Sequence, residues 1–94
     1  MNSPNTVRAV ATIVNKRGLH ARASAKFVET AARFQAEVTV TKGDASVSGR
    51  SIMGLMLLAA SLGTSVELTA EGPDAQAALD ALVGLIAARF YEDS

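Results

Sequence analysis

Among the 94 residues there is a single histidine, and it stands in the stretch Gly18-Leu19-His20-Ala21-Arg22. An uncharged imidazole nitrogen is a nucleophile near neutral pH. An arginine two positions on offers a planar fork of N–H donors that matches phosphate oxygens. Gly18 lets the chain turn sharply, and helical periodicity begins right after it, so His20 falls at or beside a helix N-cap. The backbone N–H groups of Ala21 and Arg22 then lack intrahelical partners and face outward as anion donors. That arrangement suits a phosphohistidine: a phosphoryl group on the ring, held by those two amides and by Arg22, with Arg17 approaching from the loop side. A P–N bond to imidazole breaks readily, which suits relay better than storage. The plain alternative is a surface histidine near a helix start, because one short motif is only a hypothesis.

Other chemistries fit poorly. One histidine and no cysteine supply too few ligands for a metal centre, and no Ser-His-Asp set can be placed. Nine basic residues balance nine acidic ones, so there is no basic face to displace counterions from a nucleic acid. The absence of cysteine removes any disulfide framework and fits a reducing compartment. Residues 1–5 are polar, with no apolar core of a signal peptide. The apolar run over 52–60 is too short to span a bilayer. The expectation is a cytoplasmic monomer of one domain over residues 1–94, with no cofactor, no membrane contact and no nucleic-acid partner.

The elements that would position His20 read in order. Residues 1–5 suggest a frayed terminus. Alternation over 6–14 predicts a strand with Val7, Ala9, Ala11 and Ile13 on one face. Helical spacing over 21–34 sets Ala21, Ala25, Val28 and Ala32 in a row, beside Phe27, Ala31 and Phe34, opposite a polar stripe of Arg22, Lys26, Glu29 and Arg33. Two strands over 36–42 and 45–49 flank the turn Lys42-Gly43-Asp44. A second helix follows over 52–60, then a strand through Val66, Leu68 and Ala70. Asp74 is the expected N-cap of a last helix over 75–88, whose buried side is Leu79, Leu82, Val83 and Ile86, joined by Phe90. The tail over 91–94 is polar and reads as loose. The order β-α-β-β-α-β-α, with one apolar face per strand, predicts an α+β two-layer sandwich open to water on one side of the sheet.

Ser51 precedes nine residues without a polar side chain. As an N-cap it contributes about 1 kcal/mol. As a phosphorylation site it would set charge beside Ile52 and Met53 without disturbing the helix start, with Arg50 close by. A short helix at the edge of a small domain cannot bury every side. Ile52, Leu55 and Leu58 are assigned to the core, while Met53, Met56 and Leu57 are expected to face solvent or a partner.

Three stretches carry a resemblance: Gly18-Leu19-His20-Ala21-Arg22, Arg50-Ser51-Ile52-Met53-Gly54-Leu55-Met56, and Leu68-Thr69-Ala70-Glu71-Gly72-Pro73-Asp74. Over residues 6–90 the chain resembles the HPr phosphocarriers of the phosphoenolpyruvate-dependent phosphotransferase system. The resemblance implies an open-faced sandwich with an antiparallel sheet in the order 1-4-2-3 under three helices. It implies that enzyme I phosphorylates His20 on Nδ1 and that an enzyme IIA takes the group on, the chain being a carrier rather than an enzyme. It also implies Ser51 as the target of an HPr kinase/phosphorylase. Many members have proline right after the active-site arginine, where this chain has Ala23. The continuation through Phe90-Tyr91-Glu92-Asp93, with the apolar second helix, resembles the nitrogen-related NPr branch, whose output is regulation more than sugar transport. Two rival readings remain: a small regulatory binding module that docks through its apolar second helix without phosphotransfer, and a single-stranded nucleic-acid binder on the open sheet. The outward Thr, Ser and Glu residues of the strands argue against the second.

Overall fold

The computed structural model describes residues 6–94, and the frayed terminus expected over 1–5 lies outside the described residues. The elements are β1 (Thr6–Thr12), α1 (Ala21–Ala31), β2 (Glu37–Lys42), β3 (Ala45–Ser48), α2 (Ile52–Leu57), β4 (Ser65–Glu71) and α3 (Ala75–Ala87), followed by a short 3-10 turn, Arg89–Tyr91. The strands form one antiparallel sheet in the order β1-β4-β2-β3. This is the predicted α+β architecture, with α1, α2 and α3 on one face and the other face open.

Register follows from the period of two. Leu68 of β4 lies opposite Ala9 of β1 and Val40 of β2, and Val40 in turn lies opposite Val47 of β3. One row of apolar side chains therefore crosses the whole sheet and meets Phe27, Leu55, Leu79, Leu82 and Ile86 from the helices. The opposite face carries Arg8, Val10 and Thr12 and is exposed along β1. Thr41 and Ser46 bridge their hydroxyls there at 2.8 Å.

Boundaries, faces and one cap depart from the sequence reading in five places. The helix expected over 21–34 ends at Ala31, and Arg33 and Phe34 close 3-10-type bonds to Thr30 and Ala31 instead. Its buried residues are Ala23, Ser24, Phe27 and Ala31, whereas Ala21 and Ala32 are exposed. The helix is rotated so that its largest ring faces the core, because burying Phe27 removes far more apolar area from water than burying an alanine methyl. The helix expected over 52–60 ends at Leu57: Ala59 takes φ 53°, and Lys42 Nζ donates to Leu58 O at 3.0 Å at the freed end. Ile52, assigned to the core, is 39% exposed. So short a helix buries a single face, filled by Leu55, with Leu58 just past its end. Asp74 precedes α3 as expected, yet its carboxylate makes no cap bond and accepts from Gln35 N at 2.8 Å, tying the α1–β2 connection to the β4–α3 turn.

Replacing Leu68 by Ala at the crossing of that apolar row should cost about 2–5 kcal/mol, read as a lower urea midpoint. Val10→Thr on the open face should shift stability by less than about 0.5 kcal/mol.

Candidate functional site

The loop between β1 and α1 is held by its backbone. Gly18 adopts φ 65° and passes so close to the α2–β4 connection that a Cβ there would lie 2.4 Å from Ala60 O. Leu19 N donates to the same carbonyl at 2.9 Å, and Ile13 exchanges bonds with Gly63 and Thr64 at 2.8 Å each. From beneath, buried Asn15 donates Nδ2 to Gly18 O at 2.9 Å, and Ser24 Oγ donates to Leu19 O at 3.1 Å. The turn thus has fixed contacts on both sides, and it delivers His20 to the N-cap of α1 with extended backbone, φ −74° and ψ 179°.

His20 is an N-cap whose side chain does not cap. The first amide bonded back across the turn is Ser24 N, to His20 O at 2.9 Å, so the amides of Ala21, Arg22 and Ala23 precede the intrahelical ladder. The ring instead sends Nε2 to Glu92 Oε2 at 2.5 Å. The other carboxylate oxygen, Oε1, accepts from Asn15 Nδ2 at 3.1 Å. The opposite orientation of the Asn15 amide would set its oxygen against two acceptors, Gly18 O and Glu92 Oε1, so this one is dictated by the network. It leaves Asn15 Oδ1 buried without a partner, at a cost of about 1–3 kcal/mol.

Glu92 was missed in the sequence, where it belongs to a polar tail. It reaches His20 because Arg89, Phe90 and Tyr91 all take positive φ, 58°, 54° and 62°, turning the chain back over the start of α1. Three such non-glycine residues together cost about 3–6 kcal/mol. Burial of Phe90 offsets about 1.5–3 kcal/mol. Lys26 Nζ, which donates to Phe90 O at 2.7 Å and sits 5.9 Å from the Tyr91 ring centroid, adds about 1.5–3 kcal/mol for a charged hydrogen bond. The one hint in the sequence was Phe90, an apolar residue just beyond the helical pattern.

Burial alone would push the Glu92 carboxyl up. The hydrogen bonds from His20 and Asn15, and the positive charges of His20 and Arg17, outweigh it and hold Glu92 below the ordinary glutamate range. The side chain is 13% exposed, that of His20 20%.

Arg17, His20 and Arg22 line one hollow of about 310 Å³ with Lys26 and the tail residues Tyr91, Glu92 and Asp93. The imidazole and the two guanidinium groups singled out in the sequence therefore do converge, and Lys26 joins them. Ser51, Met53, Met56 and Leu57 lie outside that hollow, on α2 beside α1. Ser51 caps α2, its Oγ accepting from Gly54 N at 2.9 Å. Met53 and Leu57 are 66% and 78% exposed and Met56 is 39% exposed, in agreement with the sequence. Among the described residues no group of three or more His, Cys, Asp or Glu could hold a metal ion, and no helix is long and apolar enough to cross a membrane.

A family model described as the PTS HPr component phosphorylation site matches residues 7–88. The chain belongs to the HPr phosphocarrier family. It is 56% identical over 80 residues to the phosphocarrier protein HPr of Neisseria meningitidis serogroup A, covering 85% of this chain and 90% of that protein. It is 45% identical over 83 residues to the phosphocarrier protein NPr of Shewanella violacea, covering 88% and 91% respectively. The crystal structure of HPr-C-His from Thermoanaerobacter tengcongensis superposes with a TM-score of 0.89 at 44% identity, over 94% of this chain and 99% of that one. The HPr-family architecture, an open antiparallel sheet in the order 1-4-2-3 beneath three helices, is thus common to this chain and its solved neighbour.

Two measurements check the network. Gly18→Ala should destabilise by more than the roughly 1 kcal/mol of an ordinary left-handed alanine, because its Cβ would also collide with Ala60 O. Glu92 titrates low in the folded state, so its share of stability is present above the ordinary glutamate range and is lost as pH falls through the lowered value. The urea-midpoint gap between wild type and Glu92→Gln should therefore be largest near neutral pH and close in acid.

Proposed function

We propose that the chain is a phosphoryl carrier that takes a phosphoryl group on His20 Nδ1 from phosphorylated enzyme I, with phosphoenolpyruvate as ultimate donor, and passes it to a histidine of an enzyme IIA. The observation that carries this reading is His20 at a helix N-cap with its ring unused for capping, in one hollow with Arg17 and Arg22. The lone pair of Nδ1 forms the new N–P bond as the donor's P–N bond breaks, and that electron pair returns to the donor imidazole. The phosphoryl oxygens meet the amides of Ala21 and Arg22, the Arg22 guanidinium and, from the loop, Arg17. Ala23, standing where many relatives carry proline, keeps its amide and adds a third donor to that set.

In this reading the carrier works in the cytoplasm as a monomeric domain. Met53, Met56 and Leu57 form the apolar surface that successive partners share, and the flexible thioethers of methionine adapt to each of them. Ser51 is the regulatory site. A phosphate on its hydroxyl, at the start of α2 and next to Met53, sets a charge on that surface and repels enzyme I while the fold stands. Similarity to both an HPr and an NPr supports a role in either sugar uptake or nitrogen-linked regulation.

His20→Ala, incubated with enzyme I and labelled phosphoenolpyruvate, should take up no acid-labile label; continued labelling would refute the assignment. Ser51→Asp should keep the wild-type urea midpoint within about 1 kcal/mol while raising the KM of enzyme I for the carrier. Pull-down of the same partners by His20→Ala, with no label on wild type, would favour the binding-module alternative.

A further inference from the structure

The bond between His20 and Glu92 bears on which ring nitrogen can react. Asn15 Nδ2 has only protons to give and donates to Glu92 Oε1 at 3.1 Å, so that oxygen carries no proton. The remaining oxygen, Oε2, faces His20 Nε2 at 2.5 Å. Despite its burial the Glu92 carboxyl is held below the ordinary glutamate range by its bonds to His20 and Asn15, so near neutral pH it is ionised, and an ionised carboxylate is an acceptor only. Nε2 must therefore supply the proton, and a neutral imidazole with its proton on Nε2 has its free lone pair on Nδ1. The contact is well supported: Phe90 is buried as an anchor, Lys26 holds the Phe90 carbonyl, and Asn15 joins the carboxylate to the Gly18 carbonyl just ahead of His20.

We propose that Glu92 is a positioning residue for phosphoryl transfer, holding the His20 ring as the Nε2–H tautomer so that Nδ1 is presented as the nucleophile. The inference rests on the carrier reading above. During transfer the Nδ1 lone pair forms the N–P bond, the donor's P–N bond breaks with its electron pair going to the donor nitrogen, and the Nε2 proton stays where it is. The ring then gains positive charge, and Glu92 is the anion placed to balance it. The other charges around the ring are Arg17 from the loop, Arg22 and Lys26 from α1, and Asp93 from the tail. The cations suit the phosphoryl oxygens. Among the described residues Glu92 is the carboxylate hydrogen-bonded to the ring.

Two readouts on the full chain test this, one of which needs no phosphotransfer. Nitrogen-15 spectra of the His20 ring above its titration should show wild type almost wholly as the Nε2–H tautomer, Glu92→Ala as a mixture, and Glu92→Gln, which keeps an acceptor oxygen without the charge, between them. With enzyme I and phosphoenolpyruvate, Glu92→Ala should lower the kcat of phosphorylation by roughly tenfold, the low end of the cost of removing the group that orients a metal-binding histidine, with KM little changed. Backbone amide spectra confirm that each variant is folded. Identical tautomer populations in wild type and Glu92→Ala would overturn the proposal, as would a faster rate in Glu92→Ala, which would make the tail a lid rather than a support. Absence of label on wild type would count against the carrier reading alone, since the nitrogen spectra are read without it.

Discussion

Strand β4 is hydrogen-bonded along both edges, to β1 and to β2, and the rest of the molecule depends on that double pairing. It sets the first strand of the chain beside the last and makes the sheet one surface. With Leu68 at its centre it gives the three helices a common floor. The same pairing brings the loop after β1 against the connection before β4, where Gly18 and Leu19 meet Ala60. The start of α1 is therefore fixed by contacts to the sheet and its loops more than by its own N-terminal residues. Its N-cap, His20, contributes no side-chain cap bond.

That independence matters for the chemistry. In most helices an N-cap side chain is spent on the free amides. Here the loop is held by Asn15, Gly18 and Ser24, so the N-cap side chain is released for other contacts and the first amides are left for an incoming anion. The left-handed turn at Arg89–Tyr91 belongs to the same division of roles. It is an unfavourable conformation maintained by Phe90 and Lys26, and it brings one carboxylate to the far edge of the ring. Strain at Arg89–Tyr91 and an unpartnered buried oxygen, Asn15 Oδ1, both lie beside the His20 site in space, as is common where a structure serves a site as well as stability.

The element order and the convergence of Arg17, His20 and Arg22 were legible because each rests on local pattern: a period of two, a period of 3.6, a glycine at a break, and a lone histidine at the junction. The exposure of Met53 and Leu57 was legible from helix length alone. What could not be read depended on choices made only in three dimensions. The face of α1 was misplaced because Ala21, Ala25, Val28 and Ala32 satisfied the spacing as well as Phe27 did, and only packing decides between them. Ile52 was taken as core because hydropathy says nothing about which side of a six-residue helix meets the sheet. Glu92 was passed over because no propensity predicts three successive left-handed residues at Arg89, Phe90 and Tyr91; a reader of local preference extends such a tail into water.

Asn15 and Glu92 stand 77 positions apart, near opposite ends of the described chain, and the reactive ring lies between them in space. During synthesis His20 leaves the ribosome long before the carboxylate that faces its ring exists. A nascent or C-terminally clipped chain would display the histidine with its orienting partner missing, even if the sheet had already formed. The contact thus reports whether the segment after α3 has folded back over the start of α1.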